Sequence, residues 1–309
     1  MSKKKLLITS GDPAGCGPII AVEAIREFAG KNIDFFLVGD HRIYSKIPLF
    51  KKIQRQINFI DVCTPAIGKL KPGGASRISG AASLKYLKEG IKIIKTTGIN
   101  RLVTAPLSKE AVKLVSPGFF GHTEYLAKEF KSNNVEMMFV SGTVKIVTFT
   151  RHIPLRRVSS SLKVDNIFNT LTLVYSSLKD KFKIRSPKIA FSSFNPHAGI
   201  DTFFDKEEKI ISSAIRKFPK KVYGPYPSDS LFLKKSLKEY DCIICLYHDQ
   251  AMIPFKSLFW HKGVNITLGL PIIRTSPVHG VAYKAVKDKQ RISHSSMVSA
   301  MQLALRLSP

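Results

Sequence analysis

Three histidines occur in one kind of setting along the chain. His152 lies in Thr-Arg-His-Ile-Pro-Leu, His197 in Asn-Pro-His-Ala-Gly and His248 in Tyr-His-Asp-Gln, each just past a run that reads as a strand. Neutral imidazoles are good ligands for zinc and similar divalent ions, and three of them leave coordination positions for substrate oxygens. A single histidine beside a strand end is more often a hydrogen-bonded structural residue. Three in like settings favour a shared metal, with Asp249 and Asp229 suited to orient the rings or add oxygen ligands.

A second set of residues suits an anion. His122 and Thr123, in Gly-His-Thr-Glu, stand where a helix is expected to start, so amides and dipole would favour a phosphate or carboxylate. Thr123 as a plain N-cap is the competing reading. Within Lys256–Ser276, Lys256, Asn265 and Arg274 present donors, and an arginine can hold phosphate bidentately. A solvated basic face would explain Lys256, but it explains Asn265 and Arg274 poorly, since both are embedded in apolar sequence where an unpaired polar group is costly. The turn Ser10–Pro18 has two readings, an anion-receiving loop and a tight structural turn. Its glycines at 11, 15 and 17 do not have the spacing of a dinucleotide-binding fingerprint.

The elements that must position these groups alternate between strand-like and helix-like patterns. Leu6–Thr9, Asp34–Val38, Arg101–Thr104, Lys188–Ser193 and Asp241–Tyr247 read as strands, and 136–141 with 145–150 as a hairpin about Gly142. Helical spacing marks 19–28, 80–97, 109–115, 124–130, 165–178, 206–218 and 295–307. The alternation predicts an α/β protein with a largely parallel sheet, whose ligand sites lie past the carboxyl ends of strands.

Composition narrows the function classes. Among 309 residues, Lys+Arg 49 against Asp+Glu 22 leaves a net charge of +27, with 44% hydrophobic residues, enough for a large core. The lysines are scattered and lack the aromatic-basic pattern of a nucleic-acid binder, so a nucleic-acid partner is not expected; the same field would draw in phosphorylated or carboxylated small molecules. No run is long enough to span a bilayer, and the four cysteines are too sparse for a disulfide scaffold; a soluble cytoplasmic protein is expected. Cys242 and Cys245 form a C-x-x-C, but inside a run that reads as a buried strand rather than a redox or zinc motif.

These segments form an ordered set of motifs: Gly-Asp-Pro-Ala-Gly-x-Gly-Pro from Gly11, Thr-Ala-Pro-x-x-Lys from Thr104, Gly-His-Thr-Glu, Asn-Pro-His-Ala-Gly, Gly-Pro-x-Pro-x-Asp-x-Leu-Phe from Gly224, Tyr-His-Asp-Gln, and Gly-Val-Asn-Ile-Thr-Leu-Gly-Leu-Pro-x-Ile-Arg-Thr-Ser ending at Ser276. The set closely resembles the 4-hydroxythreonine-4-phosphate dehydrogenase family of pyridoxal phosphate biosynthesis, over nearly the whole chain. The resemblance implies a two-lobed isopropylmalate-dehydrogenase-like fold with the active site in the interlobe cleft. The lobes are expected at about 1–125 with 265–309, and at about 126–264.

It also implies oxidation of 4-phosphohydroxy-L-threonine by NAD or NADP, assisted by zinc, magnesium or cobalt, then decarboxylation to 3-amino-2-oxopropyl phosphate. The expected assembly is a homodimer with a shared active site. By the same resemblance His152, His197 and His248 match metal ligands, one from the neighbouring subunit, and His122, Thr123, Lys256, Asn265 and Arg274 match substrate-binding positions. A metal-bound water, or a nearby side chain such as Lys256 or Asp249, is the candidate for handling the alcohol proton.

The chain departs from the family pattern where Ile19, Ile200 and Val278 replace expected acidic residues. A relative acting on a four-carbon sugar-acid phosphate of threonate or erythronate type would keep the same metal and phosphate residues, and stands as the alternative.

Overall fold

The computed structural model describes residues 3–199 and 205–309. Ile200 therefore lies outside the described residues. Among the described residues eleven strands run in chain order as β1 Lys4–Thr9, β2 Ile33–Gly39, β3 Ile57–Asp61, β4 Arg101–Thr104, β5 Glu136–Ser141 and β6 Val144–Thr148, then β7 Ile189–Ser192, β8 Val222–Tyr226, β9 Cys242–Cys245, β10 Val264–Leu268 and β11 Ile273–Pro277. The α/β class expected from the sequence is what the chain adopts. Strand β5 pairs antiparallel with β6 and β10, and the pairs β1–β2, β1–β4, β2–β3, β4–β11, β6–β9, β7–β8 and β7–β9 run parallel.

Contacts divide the chain into two units. The first comprises Met1–Ser132, Leu270–Leu307 and Pro309, and the second Asn133–Gly269 with Ser308. In the first unit the strands are ordered β3-β2-β1-β4-β11. The chain steps outward from β1 through β3 and then returns to the other side of β1, so β1 and β4 flank a topological switch point, where open α/β sheets open their ligand crevice. Runs such as Leu6–Thr9 are apolar on both faces, as a parallel strand covered by helices requires. The long helix Arg77–Thr97 covers this sheet; Ser76 caps it, exchanging hydrogen bonds with Ser79, and Gly98 stops it with φ 70°.

The second unit orders its strands β10-β5-β6-β9-β7-β8. Its three neighbouring strands β6, β9 and β7 run parallel, so their carboxyl ends share one edge. The chain leaving those ends carries His152, His248 and His197 respectively. The β5–β6 hairpin turns through Gly142 and Thr143, as expected.

Strands β3, β8, β10 and β11 had no counterpart in the sequence reading, nor did several helices, among them Pro48–Ile53, Lys234–Glu239, Tyr283–Lys287 and the longer His248–Phe259. The last contains Pro254, which argues against a helix, yet the turn is held by its buried face of Ala251, Met252 and Phe255. Cys242 and Cys245 are fully buried in β9 and free; burial pushes both thiols up, that of Cys242 to about 12, so the pair is inert packing.

Candidate active site

At the switch point the glycine turn is a brace. Four of its amides are engaged within the fold: Asp12 N donates to Pro106 O at 2.8 Å, Ala14 N to Asp12 Oδ1 at 2.8 Å, Gly15 N to Asp12 O at 3.1 Å and Cys16 N to Val281 O at 2.9 Å. Gly11 has φ 66°, and a Cβ there would stand 2.1 Å from Pro106 O, so only glycine fits. The structural reading of this turn therefore prevails over the anion-loop reading. Asp12 is fully buried beneath it and accepts from Tyr283 Oη at 2.6 Å; burial raises its carboxyl above the usual range.

Cationic groups gather one strand away. Arg274, on β11, is 2% exposed, and its Nε and Nη2 donate to Thr104 Oγ1 at 3.2 and 2.7 Å across the end of β4. Burial lowers its pKa to about 10, opposed by the nearby Glu124 carboxylate, so the guanidinium stays charged at neutral pH. The helix His122–Glu129 starts beside it, with Gly121 as N-cap at φ 147°. A Cβ on Gly121 would lie 3.1 Å from Lys109 Cε and 3.2 Å from Glu124 Oε2, so both chains close over the helix start.

Thr123 is in the first turn rather than at the cap position, and is buried. The plain N-cap reading of Thr123 is thereby set aside. His122 is held well below the ordinary imidazole range by burial first, then by the charges of Arg274 and Lys109. It is neutral at physiological pH and can donate from one nitrogen and accept at the other. A buried arginine, the Lys109 side chain beside the helix start, first-turn amides, a buried hydroxyl and a neutral imidazole form an arrangement suited to a phosphate, with the Glu124 carboxylate at its edge.

In the second unit the rings of His152 and His248 lie 6.2 Å apart between centroids, tilted by 37°. His248 is the first residue of its helix, and its Nδ1 meets Asp249 Oδ1 at 2.6 Å. That contact favours the tautomer with Nδ1–H donating, which turns the Nε2 lone pair outward as a metal ligand needs. Asp249, a proton-handling candidate from the sequence, is thus engaged in orienting His248.

His197 sits in the short turn Pro196–Gly199 at φ 53°, followed by Ala198 at φ 57°. Among the described residues no three His, Cys, Asp or Glu side chains are grouped to hold a metal ion. The structure therefore brings His152 and His248 together, and His197 does not join them within one chain. The donor chemistry of the pair, two imidazoles with one Nδ1 pinned, fits a borderline divalent cation.

Lys256 is exposed on the His248 helix, its Nζ 5.5 Å from the Trp260 ring centre. Asn265 lies on β10 opposite Phe139, and its Oδ1 is shielded from solvent with no hydrogen-bond partner, the state of an acceptor kept for a ligand. Ile19 is exposed on the helix Gly17–Arg26, and Val278 is half-buried with its amide on Ser296 Oγ at 3.3 Å.

Sequence reasoning passed over Lys109, Glu136, Glu208 and Gln250. Glu208 is 5% exposed and accepts from Phe194 N, Asn195 N and Asn195 Nδ2 at 3.0, 2.7 and 2.8 Å, tying down the loop that leads to His197. Lys109 and Gln250 lay within recognised motifs, whereas Glu136 and Glu208 sit in ordinary strand and helix patterns.

Residues 21–304 match the family model described as pyridoxal phosphate biosynthetic protein PdxA. The chain belongs to the PdxA family. One PdxA relative, the 4-hydroxythreonine-4-phosphate dehydrogenase of Desulforapulum autotrophicum, is 35% identical over 320 residues, covering 96% of this chain and 93% of its own. A relative from Oceanobacillus iheyensis, provisionally named a D-threonate 4-phosphate dehydrogenase, is 32% identical and covers 100% of this chain and 99% of its own. Among solved structures, the 4-hydroxythreonine-4-phosphate dehydrogenase of Klebsiella pneumoniae superposes with a TM-score of 0.83 at 30% identity, covering 98% of this chain and 100% of that one. The isopropylmalate-dehydrogenase-like fold expected from the motifs agrees with this PdxA match.

Proposed function

We propose that this PdxA-family chain is a dehydrogenase that oxidises 4-phosphohydroxy-L-threonine and releases carbon dioxide, giving 3-amino-2-oxopropyl phosphate. The observation that carries the reading is the buried Arg274–Thr104 contact beside neutral His122 and Lys109, a ready phosphate site one strand from the switch point. NAD or NADP supplies the acceptor for the hydride that leaves the secondary alcohol carbon. A zinc, magnesium or cobalt ion, when bound, supplies Lewis acidity that eases alcohol ionisation and tolerates negative charge as the C–C bond to the carboxylate breaks.

The chain's own residues do the rest. Arg274, Lys109, His122 and Thr123 bind and orient the phosphate. A neutral His122 accepts that role without adding a third full charge against Arg274 and Lys109. The family resemblance assigns Lys256 and Asn265 to the substrate's remaining polar groups, and Lys256 is preferred over Asp249 for the alcohol proton because Asp249 Oδ1 is occupied by His248. His152 and His248 hold the metal, and His197 of the partner subunit completes the set.

A second copy is favoured by exposed apolar side chains around these histidines: Ile153 at 39%, Leu155 at 65%, Ile253 at 66%, Leu258 at 52% and Trp260 at 47% exposure. The reading includes a homodimer with a shared site, in the cytoplasm, where the four free cysteines stay reduced. A nucleic-acid role draws on the charge alone. Among the described residues no helix is long and apolar enough to cross a membrane.

The D-threonate 4-phosphate name of one relative supports a second reading, in which a hydroxyl replaces the substrate amine. Steady-state kinetics on both substrates separates the two. A kcat/KM higher for the amino substrate supports the proposal, and a preference for D-threonate 4-phosphate replaces it.

A further inference from the structure

Gln250 is the third residue of the His248 helix, and every hydrogen-bonding position of its carboxamide is engaged. Oε1 accepts from Leu246 N at 2.6 Å and from Ser192 Oγ at 3.0 Å; Nε2 donates to Ser193 O at 3.0 Å and to Ser228 Oγ at 2.6 Å. The amide orientation is forced, because Leu246 N can only donate and Ser193 O can only accept. A glutamine offers two acceptor and two donor positions, and all four are used.

The four partners belong to three segments. Leu246 ends β9 and leads to His248, Ser192 and Ser193 end β7 and lead to the His197 loop, and Ser228 opens the short helix that carries Asp229. Ser192, Ser193 and Leu246 are all nearly or fully buried, so a lost bond here leaves a polar group with no water to replace it. The loop beyond Ser193 is further restrained by Ser193 Oγ on Asn195 O at 2.9 Å and by Glu208. Only the Gln250 carboxamide spans from that loop to the start of the His248 helix in these bonds.

We propose that Gln250 is a positioning residue, whose carboxamide holds both the start of the His248 helix at the chain's own site and the His197 loop that the chain lends to its partner's site, and so tunes divalent metal binding. The inference rests on the reading of His152, His197 and His248 as metal ligands. Outer residues that orient ligands typically change metal affinity by about 10- to 100-fold when altered.

The test is Co2+ binding to the full-length chain, read from visible absorption and from competition with a chromophoric chelator, alongside the thermal midpoint without metal. Gln250→Glu keeps both acceptor bonds and loses both donors. Gln250→Met loses all four, and Ser228→Ala removes one partner at the periphery. Expected is Co2+ binding weakened about 10- to 100-fold in Gln250→Glu, more in Gln250→Met and least in Ser228→Ala.

A purely structural role would lower the thermal midpoint and leave Co2+ affinity unchanged in the folded variants, which overturns the proposal. Should Gln250→Met fail to fold, Gln250→Glu and Ser228→Ala still decide it. His248→Ala is the control for the underlying reading. If it binds Co2+ like the parent, the metal reading fails and takes the proposal with it; if it loses Co2+ while Gln250→Glu binds normally, the positioning role alone is overturned.

Discussion

Arg274 Nη2 donates to Thr104 Oγ1 across 2.7 Å, joining residues 170 positions apart at the ends of β11 and β4. The hydroxyl accepts from both Nε and Nη2 and so fixes the plane of a buried guanidinium, with the Glu124 carboxylate nearby. A planar fork held this way is what Lys cannot reproduce. Arg274→Lys is expected to raise KM for the phosphorylated substrate by about 10- to 100-fold, with a smaller change in kcat. Unchanged KM would remove Arg274 from phosphate binding.

His122 gives an acid-side signature. Its native pKa lies well below the ordinary value near 6.5, so below that pH the unfolded chain takes up a proton that the folded chain refuses. Stability from this group is present above about pH 6.5 and is lost as pH falls. The thermal midpoint of the parent should therefore drop more steeply from pH 7.5 to 5.0 than that of His122→Asn. Equal slopes would mean that the imidazole is not held neutral.

Glu136 has the opposite sign. It is 6% exposed; burial raises its pKa to about 7, against the pull of Arg151 at 3.3 Å and Thr170 at 2.9 Å. Between about pH 4.5 and 7 the folded chain holds a proton that the unfolded chain releases, so stability from this group falls as pH rises. Relative to Glu136→Gln, the parent should lose on the order of 3 kcal/mol across that window in denaturant titrations. A flat difference would show that Arg151 keeps the carboxylate charged throughout.

Gly11→Ala tests the brace. The substitution places a Cβ against Pro106 O in a backbone region that alanine disfavours. A loss on the order of 3 kcal/mol in folding free energy is expected from chemical denaturation. A loss under about 1 kcal/mol would mean that the turn relaxes readily.

Much of the fold was legible because its signals are local. Arg101–Thr104 stands out as an apolar run after Gly98, and the Gly142 hairpin as two apolar runs around a glycine. Strands β10 and β11 were obscured by Asn265, Thr267, Arg274 and Thr275, polar residues that made the segment look like a binding block. It is one, built on strands. Pro254 hid the helix of His248 in the same way. The site was legible as residue types, whereas its support was not: Gln250 meets Ser192 across 58 positions, and Glu208 meets Asn195 from a helix whose pattern looks merely amphipathic. Such contacts are set by sheet order, and sheet order is not written in any local spacing.

The most direct test of the central claim is NADH formation, followed by absorbance, on mixing the purified chain with NAD, 4-phosphohydroxy-L-threonine and a divalent metal, repeated after chelation. Turnover that chelation abolishes and added metal restores is the result expected. Turnover that persists at full rate after complete metal removal, or a folded dimer that oxidises neither this substrate nor D-threonate 4-phosphate, would contradict the account.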